Sequence, residues 1–218
     1  MQLAVFDLDH TLLQADSDHG WNAFLVDIGV VTDAEFAESN ERWYREYTNG
    51  TLNIVEYNRW AFRLHSQYGT EQVTQWRDQY VRERAPGMIA PKTPEVLAWH
   101  RDQGHQILVI TATSEFLAGP IIELMGITDY LGLKNEIVDG QYTGELIGTP
   151  TFQAGKVKAL EEWRTQQTQS FDQVWFYSDS HNDLPLLENA DVPVAVDADE
   201  KLTAIAQDRG WKIMTFRD

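Results

Sequence analysis

Two hydrophobic rhythms divide the chain. Leu3 to Leu8 is almost continuously apolar, as is His105 to Ile110 and again Gln173 to Tyr177. Such runs mark strands of a parallel sheet covered on both faces, where no position alternates with solvent. Between the first two runs, from about Asp18 to Arg84, apolar residues recur at helical spacing, as Trp21, Phe24, Leu25 and Ile28 do at i, i+3, i+4 and i+7. Thr32-Asp33-Ala34-Glu35 reads as a capping box that opens the next helix. Asn49-Gly50 reads as a turn, Ile54 to His65 as a helix, Tyr68-Gly69-Thr70 as a stop and restart, and Ala85-Pro86-Gly87 as the exit.

Beyond the helical stretch, Thr93 to Gln103 predicts a helix with Pro94 in its first turn and Gly104 after its end. Helices are expected over Phe116–Met125, Gly155–Arg164 and Asp199–Asp208, and a hairpin over Glu136–Ile147 around Asp139-Gly140. Short strands are expected at Val194–Val196 and Lys212–Thr215. Strands alternating with helices make an α/β fold with a mostly parallel sheet. The helical segment interrupts it, giving a core of residues 1–14 and 86–218 and an all-helical insert of residues 15–85.

Composition narrows the function. The 218 residues are 43% hydrophobic and contain no cysteine, which excludes disulfides, thiolate catalysis and Cys-ligated metals. With 17 Lys+Arg against 34 Asp+Glu the net charge is −17, so nucleic acid is not an expected partner. No apolar run reaches the ~20 residues of a membrane span, and the chain starts without a signal-like segment, so a cytoplasmic location is expected. The insert holds twelve of the 25 aromatic residues, which reads mainly as helix-bundle core, with one or two roofing a site.

The candidate chemistry sits at strand ends. Asp7 and Asp9 close the first apolar run, and two carboxylates two residues apart read either as a cation site or as an Asp-rich turn. Thr111, Thr113 and Ser114 close the second, Asp179 and Asp183 follow the third, and Lys156 opens a helix between them. In a parallel sheet these ends share one edge, so the residues should converge. Carboxylates there hold a hard cation such as Mg²⁺, a lysine and a hydroxyl hold a phosphoryl group, and an aspartate can attack phosphorus.

Asp7-Leu8-Asp9-His10-Thr11, Ile110-Thr111-Ala112-Thr113, Lys156 and Ser178-Asp179-Ser180-His181-Asn182-Asp183, in that order, resemble the four motifs of the haloacid dehalogenase superfamily, in the subfamily IB group related to phosphoserine phosphatases and histidinol-phosphatases. The resemblance implies a Rossmann-like three-layer core with a C1-type helical cap. It implies a Mg²⁺-dependent hydrolase of a small phosphorylated metabolite, working through an aspartyl-phosphate. Asp7 is then the nucleophile, Asp9 the acid and base, and Thr111 and Lys156 the phosphoryl ligands, with Asp7, Asp179 and the Asp9 backbone carbonyl at the metal and Asp183 supporting Asp179 or the metal's waters. The substrate side is expected from Asp16, Asp18, Thr113, Asn182 and Arg59. Asp16 falls near the position of a glutamate that meets the ammonium of phosphoserine, leaving Asp18 as the expected helix cap. The second motif lacks the glycines of phosphoserine enzymes, which reshapes the pocket floor. A phosphotransferase or a non-catalytic phosphate-binding module of the same fold are the alternatives.

Overall fold

The computed structural model describes residues 1–217. β1 (Gln2–Phe6) leads into four helices, α1 (Ser17–Asp27), α2 (Ala34–Asn49), α3 (Ile54–Tyr68) and α4 (Thr70–Glu83), and then a single turn, α5 (Ala85–Met88). α6 (Thr93–Asp102), β2 (Gln106–Ser114), α7 (Glu115–Glu123) and β3 (Tyr130–Leu133) follow. A hairpin of β4 (Asn135–Val138) and β5 (Gln141–Leu146) precedes α8 (Ala154–Thr165), β6 (Gln173–Ser178), α9 (Leu184–Asn189), β7 (Val192–Val196), α10 (Glu200–Arg209) and β8 (Lys212–Met214).

Six strands form one parallel sheet in the order β3-β2-β1-β6-β7-β8, with β1 in the interior. The pleat of β1 sends Leu3 and Val5 to a core shared with Leu160, Leu186, Leu187 and Leu202, and Ala4 and Phe6 to a core shared with Leu97, Leu117 and Ile121. Helices therefore cover both faces, and the continuous apolar run is explained. Phe6 stacks on Tyr177 at 4.5 Å between centroids, and the Tyr177 hydroxyl meets His100 Nε2 at 2.9 Å. Truncating Phe6 to Ala would cost about 3–5 kcal/mol through lost burial and a residual cavity.

The apolar interior of the insert is continuous with one of these cores, since Trp21, Phe24, Phe62 and Tyr80 belong to the same cluster as Phe6 and Ile121. The chain enters and leaves the insert side by side: Gln14 N–H donates to the Met88 carbonyl at 2.7 Å and Ala90 N–H to the Leu12 carbonyl at 3.0 Å. The β4–β5 hairpin packs on the insert, with Asn58 donating to the Gly144 carbonyl at 2.7 Å and Tyr142 meeting Phe62 and His65 edge to face.

Four sequence expectations change. β1 ends at Phe6, so Asp7 and Asp9 lie beyond it in a compact turn with Asp9 extended and His10 left-handed at φ 57°. β2 runs on through Thr111 to Ser114, with a register shift against β3. β3 itself was not expected. Its Gly132 leaves room for a neighbour, because a Cβ there would sit 2.7 Å from the Thr113 carbonyl oxygen. At the start of α2 the cap is Asp33, which accepts from Glu35 N–H at 2.9 Å, so the capping box expected with Thr32 does not form.

Candidate active site

The carboxyl ends of β2, β1 and β6 are neighbours, and the polar clusters meet there. Asp7 N–H donates to the Tyr177 carbonyl at 2.9 Å, which fixes the residue just after β1. Lys156 arrives from the first turn of α8. The preceding loop is pressed so close that a Cβ on Gly155 would lie 1.9 Å from the Pro150 carbonyl oxygen, and Gln153 takes φ 50°, so only glycine fits at residue 155. Lys156 Nζ lies 2.6 Å from Asp7 Oδ1 and 2.7 Å from Asp183 Oδ2, with all three side chains buried. Ser178 Oγ donates to the same Asp183 oxygen at 2.8 Å.

Burial pushes the Asp7 carboxyl up to about 6 against the pull of Lys156, with Asp183 adding to the rise. Asp179 is pushed up as well, by burial first and then by Asp7 and Asp183. Thr11 braces it, donating Oγ1–H to Asp179 Oδ1 at 3.2 Å and accepting from Asp179 N–H at 3.1 Å. Burial lowers the Lys156 ammonium's affinity for its proton, but Asp183 and Asp7 together outweigh burial and hold it above its ordinary value.

Asp9 is set apart. Its Oδ1 accepts from Ser17 N–H at 2.6 Å and its Oδ2 from the Thr113 hydroxyl at 2.7 Å. Burial, with Asp16 adding, raises this carboxyl well above its usual range. The turn after β1 therefore divides two carboxylates of one motif: Asp7 lies against an ammonium, and Asp9 has none beside it and favours its protonated form.

Whether Mg²⁺ fits is a question about donors. Asp7 Oδ2 is buried with no hydrogen-bond partner, and Asp179 crowds Asp7 with negative charge that one lysine does not neutralise. Among the described residues no three His, Asp or Glu side chains make a complete cation cage. Mg²⁺ does not need one, because it binds through one or two carboxylates, waters and substrate phosphate. The donors fit. Asp9 has both carboxylate oxygens in hydrogen bonds, which leaves only its backbone carbonyl, the donor expected of it, for a metal, and Asp183 holds Lys156 and Ser178 through one oxygen.

A cavity opens above these groups. Asp7, Asp9, Thr111 and Thr113 line it from the sheet side, and Asp16, Asp18, Trp43, Tyr44, Tyr47 and Tyr57 from the insert. Thr111 Oγ1 accepts from Thr113 N–H at 3.0 Å and keeps its own proton to donate. Three expected substrate residues have partners within the protein. Asp16, not Asp18, caps α1, accepting from His19 N–H at 2.7 Å. Asn182 donates to the Tyr47 carbonyl at 2.9 Å and accepts from Gln153 at 3.2 Å, tying the insert to the sheet. Arg59 is exposed and forms a two-pronged pair with Glu145 at 2.7 and 2.8 Å. Sequence reasoning gave no role to Thr11, although it lies within the first motif, and expected only one or two of the aromatic residues to roof the site, where four line it.

The model of the haloacid dehalogenase-like hydrolase family matches residues 4–188. The chain is 38% identical to a histidinol-phosphatase of Neisseria meningitidis over 99% of both chains. It superposes on a Bordetella pertussis protein of unknown function with a TM-score of 0.91 and 33% identity, covering 99% of this chain and 98% of that one. A phosphoserine phosphatase structure shares the fold at a TM-score of 0.71 and 18% identity, over 99% and 93% of the two chains. The chain belongs to the haloacid dehalogenase-like hydrolase family.

Proposed function

We propose that the protein is a Mg²⁺-dependent phosphomonoesterase acting on a small phosphorylated metabolite through an aspartyl-phosphate on Asp7. The observation that carries the reading is the unlike setting of two neighbouring carboxyls: Asp7 lies against the Lys156 ammonium, and Asp9 is buried against Ser17 and Thr113 with no cation beside it. An Asp7 oxygen attacks phosphorus, the bond from phosphorus to the ester oxygen breaks, and the Asp9 proton goes to the departing alkoxide. Asp9, now a base, takes a proton from water as the water oxygen attacks the same phosphorus, which frees phosphate and restores Asp7. Lys156 and the Thr111 hydroxyl steady the phosphoryl oxygens, and Ser178 and Asp183 steady Lys156. When bound at Asp7 and Asp179, Mg²⁺ supplies positive charge against the phosphoryl oxygens.

Helices α1–α4 act as a cap in this reading, closing the reacting groups from water, because their residues form the upper cavity wall. The family relative named as a histidinol-phosphatase supports a substrate of that size. Among the described residues no helix is long and apolar enough to cross a membrane, which fits a metabolite substrate met in solution. The test is hydrolysis of p-nitrophenyl phosphate with Mg²⁺. The wild type should turn over and Asp7→Asn should not; a variant retaining more than a few per cent of the rate removes Asp7 as nucleophile.

A further inference from the structure

We propose that the cavity selects phosphate esters whose alcohol carries a nitrogen cation and no carboxylate, with Asp18 as the residue that reads the cation. This rests on the phosphomonoesterase reading and names its substrate class.

Asp18 stands in the first turn of α1 and lines the cavity, and its carboxylate has no lysine or arginine partner among the described residues. The fold does not use it as a cap, since Asp16 fills that role. Burial pushes the Asp18 carboxyl up to about 7, with the Asp16 charge adding and the Tyr57 hydroxyl opposing. Its charge is thus strained in the free protein, and an arriving ammonium or imidazolium relieves the strain through a charge-assisted hydrogen bond.

The walls agree. Trp43, Tyr44, Tyr47 and Tyr57 surround the same space, and aromatic faces attract cations. Trp43 is 8% exposed, and its indole N–H has no acceptor in the protein, a buried donor left for an oxygen or uncharged nitrogen of a ligand beside the cation.

What is missing from the lining decides against a carboxylate. No lysine or arginine lines the cavity; Arg45 is exposed and outside the lining, and three further arginines of the insert have partners of their own. Arg42 lies 4.3 Å over the Trp43 ring and is exposed, Arg59 holds Glu145, and Arg63 packs against Phe36 and Trp60. Lys156 is shared between Asp7 and Asp183. A substrate carboxylate would instead face Asp16 and Asp18. An amino alcohol phosphate therefore suits the pocket, and phosphoserine, with an amine and a carboxylate on one carbon, does not.

The test compares four esters with Mg²⁺ present: phosphoethanolamine and histidinol phosphate, which carry an amine and no carboxylate, O-phosphoserine, which carries both, and glycerol 1-phosphate, which carries neither. The wild type should show kcat/KM at least about tenfold higher for the two amines than for the others. Asp18→Asn should reduce the preference of phosphoethanolamine over glycerol 1-phosphate at least about tenfold, mainly through KM. A wild-type preference for O-phosphoserine over phosphoethanolamine overturns the proposal, whatever the variant does. So does an equal loss on both esters in Asp18→Asn. If p-nitrophenyl phosphate is not hydrolysed at all, the phosphomonoesterase reading fails instead; calorimetric binding of phosphoethanolamine against glycerol 1-phosphate then still decides the cation subsite.

Discussion

Replacing Lys156 with Met removes the one ammonium from a nest of carboxylates while nearly keeping side-chain length. In the wild type Nζ lies within 2.7 Å of both Asp7 and Asp183, and the three side chains are 2–4% exposed. Deleting one partner of a buried ion pair costs about 3–5 kcal/mol. At about 2–4 °C per kcal/mol for a chain of this size, Tm should fall by roughly 6–20 °C. The loss should also depend on pH. Asp7 is already pushed from 3.8 up to about 6 with the ammonium opposing the rise, so without Lys156 it climbs further. A carboxyl raised on folding gives stability that is complete below its unfolded pKa and is lost as pH rises through its folded pKa. In the variant that loss continues to higher pH than in the wild type. The gap between the two proteins should therefore widen from about pH 5.5 to about pH 8, by about 1.4 kcal/mol for each pH unit separating the two folded Asp7 values. Scanning calorimetry in metal-free buffer at both pH values is the assay. A Tm loss of the same size at both, or one equivalent to less than about 1 kcal/mol, refutes the reasoning that buried charge dominates this site.

Asp9→Asn should lower kcat for an alkyl phosphate by about 10²–10⁴ but affect p-nitrophenyl phosphate far less, because that leaving group needs no proton; equal losses would remove the acid role. His65 and His100 are each held near 4 by burial, against 6.5 when free. A base whose pKa falls on folding costs stability as pH drops below its unfolded value, here by about 3 kcal/mol per residue by pH 4. His100→Gln keeps a polar partner for Tyr177 and removes that cost. The stability advantage of the wild type over H100Q, followed by urea denaturation, should therefore shrink between pH 7 and about pH 4.5, and a constant difference would show that His100 does not titrate in this way.

The sheet was legible because its three long strands are buried on both faces and so read as unbroken apolar runs. β3 was not, since four residues including Gly132 carry no periodicity and the strand exists only by pairing with β2. The position of Lys156, Thr111 and Asp179 at one edge followed from parallel topology. The division between Asp7 and Asp9 did not, because it depends on a left-handed His10 and on a backbone N–H from Ser17, neither visible in a residue pattern. The cap of α1 was misplaced for a similar reason: moving a helix start by two residues exchanges Asp18 for Asp16. Helical spacing also could not separate aromatic side chains that face the core, such as Phe24 and Tyr80, from those that face the cavity, such as Trp43 and Tyr57, since both lie on apolar faces of the same bundle.

The hydrogen bond from Ser17 N–H to Asp9 has a consequence for timing. Ser17 opens α1, so one anchor of the proton donor belongs to the insert and the other, Thr113, to the sheet. The Tyr80 hydroxyl, from α4, holds the Ser17 carbonyl at 2.9 Å and transmits the placement of the bundle to the same residue. Burial, not the Ser17 bond, is what raises the Asp9 carboxyl, so a displacement of α1 that admits water would lower it again. In the proposed mechanism Asp9 would then hold its proton firmly only while the insert is seated.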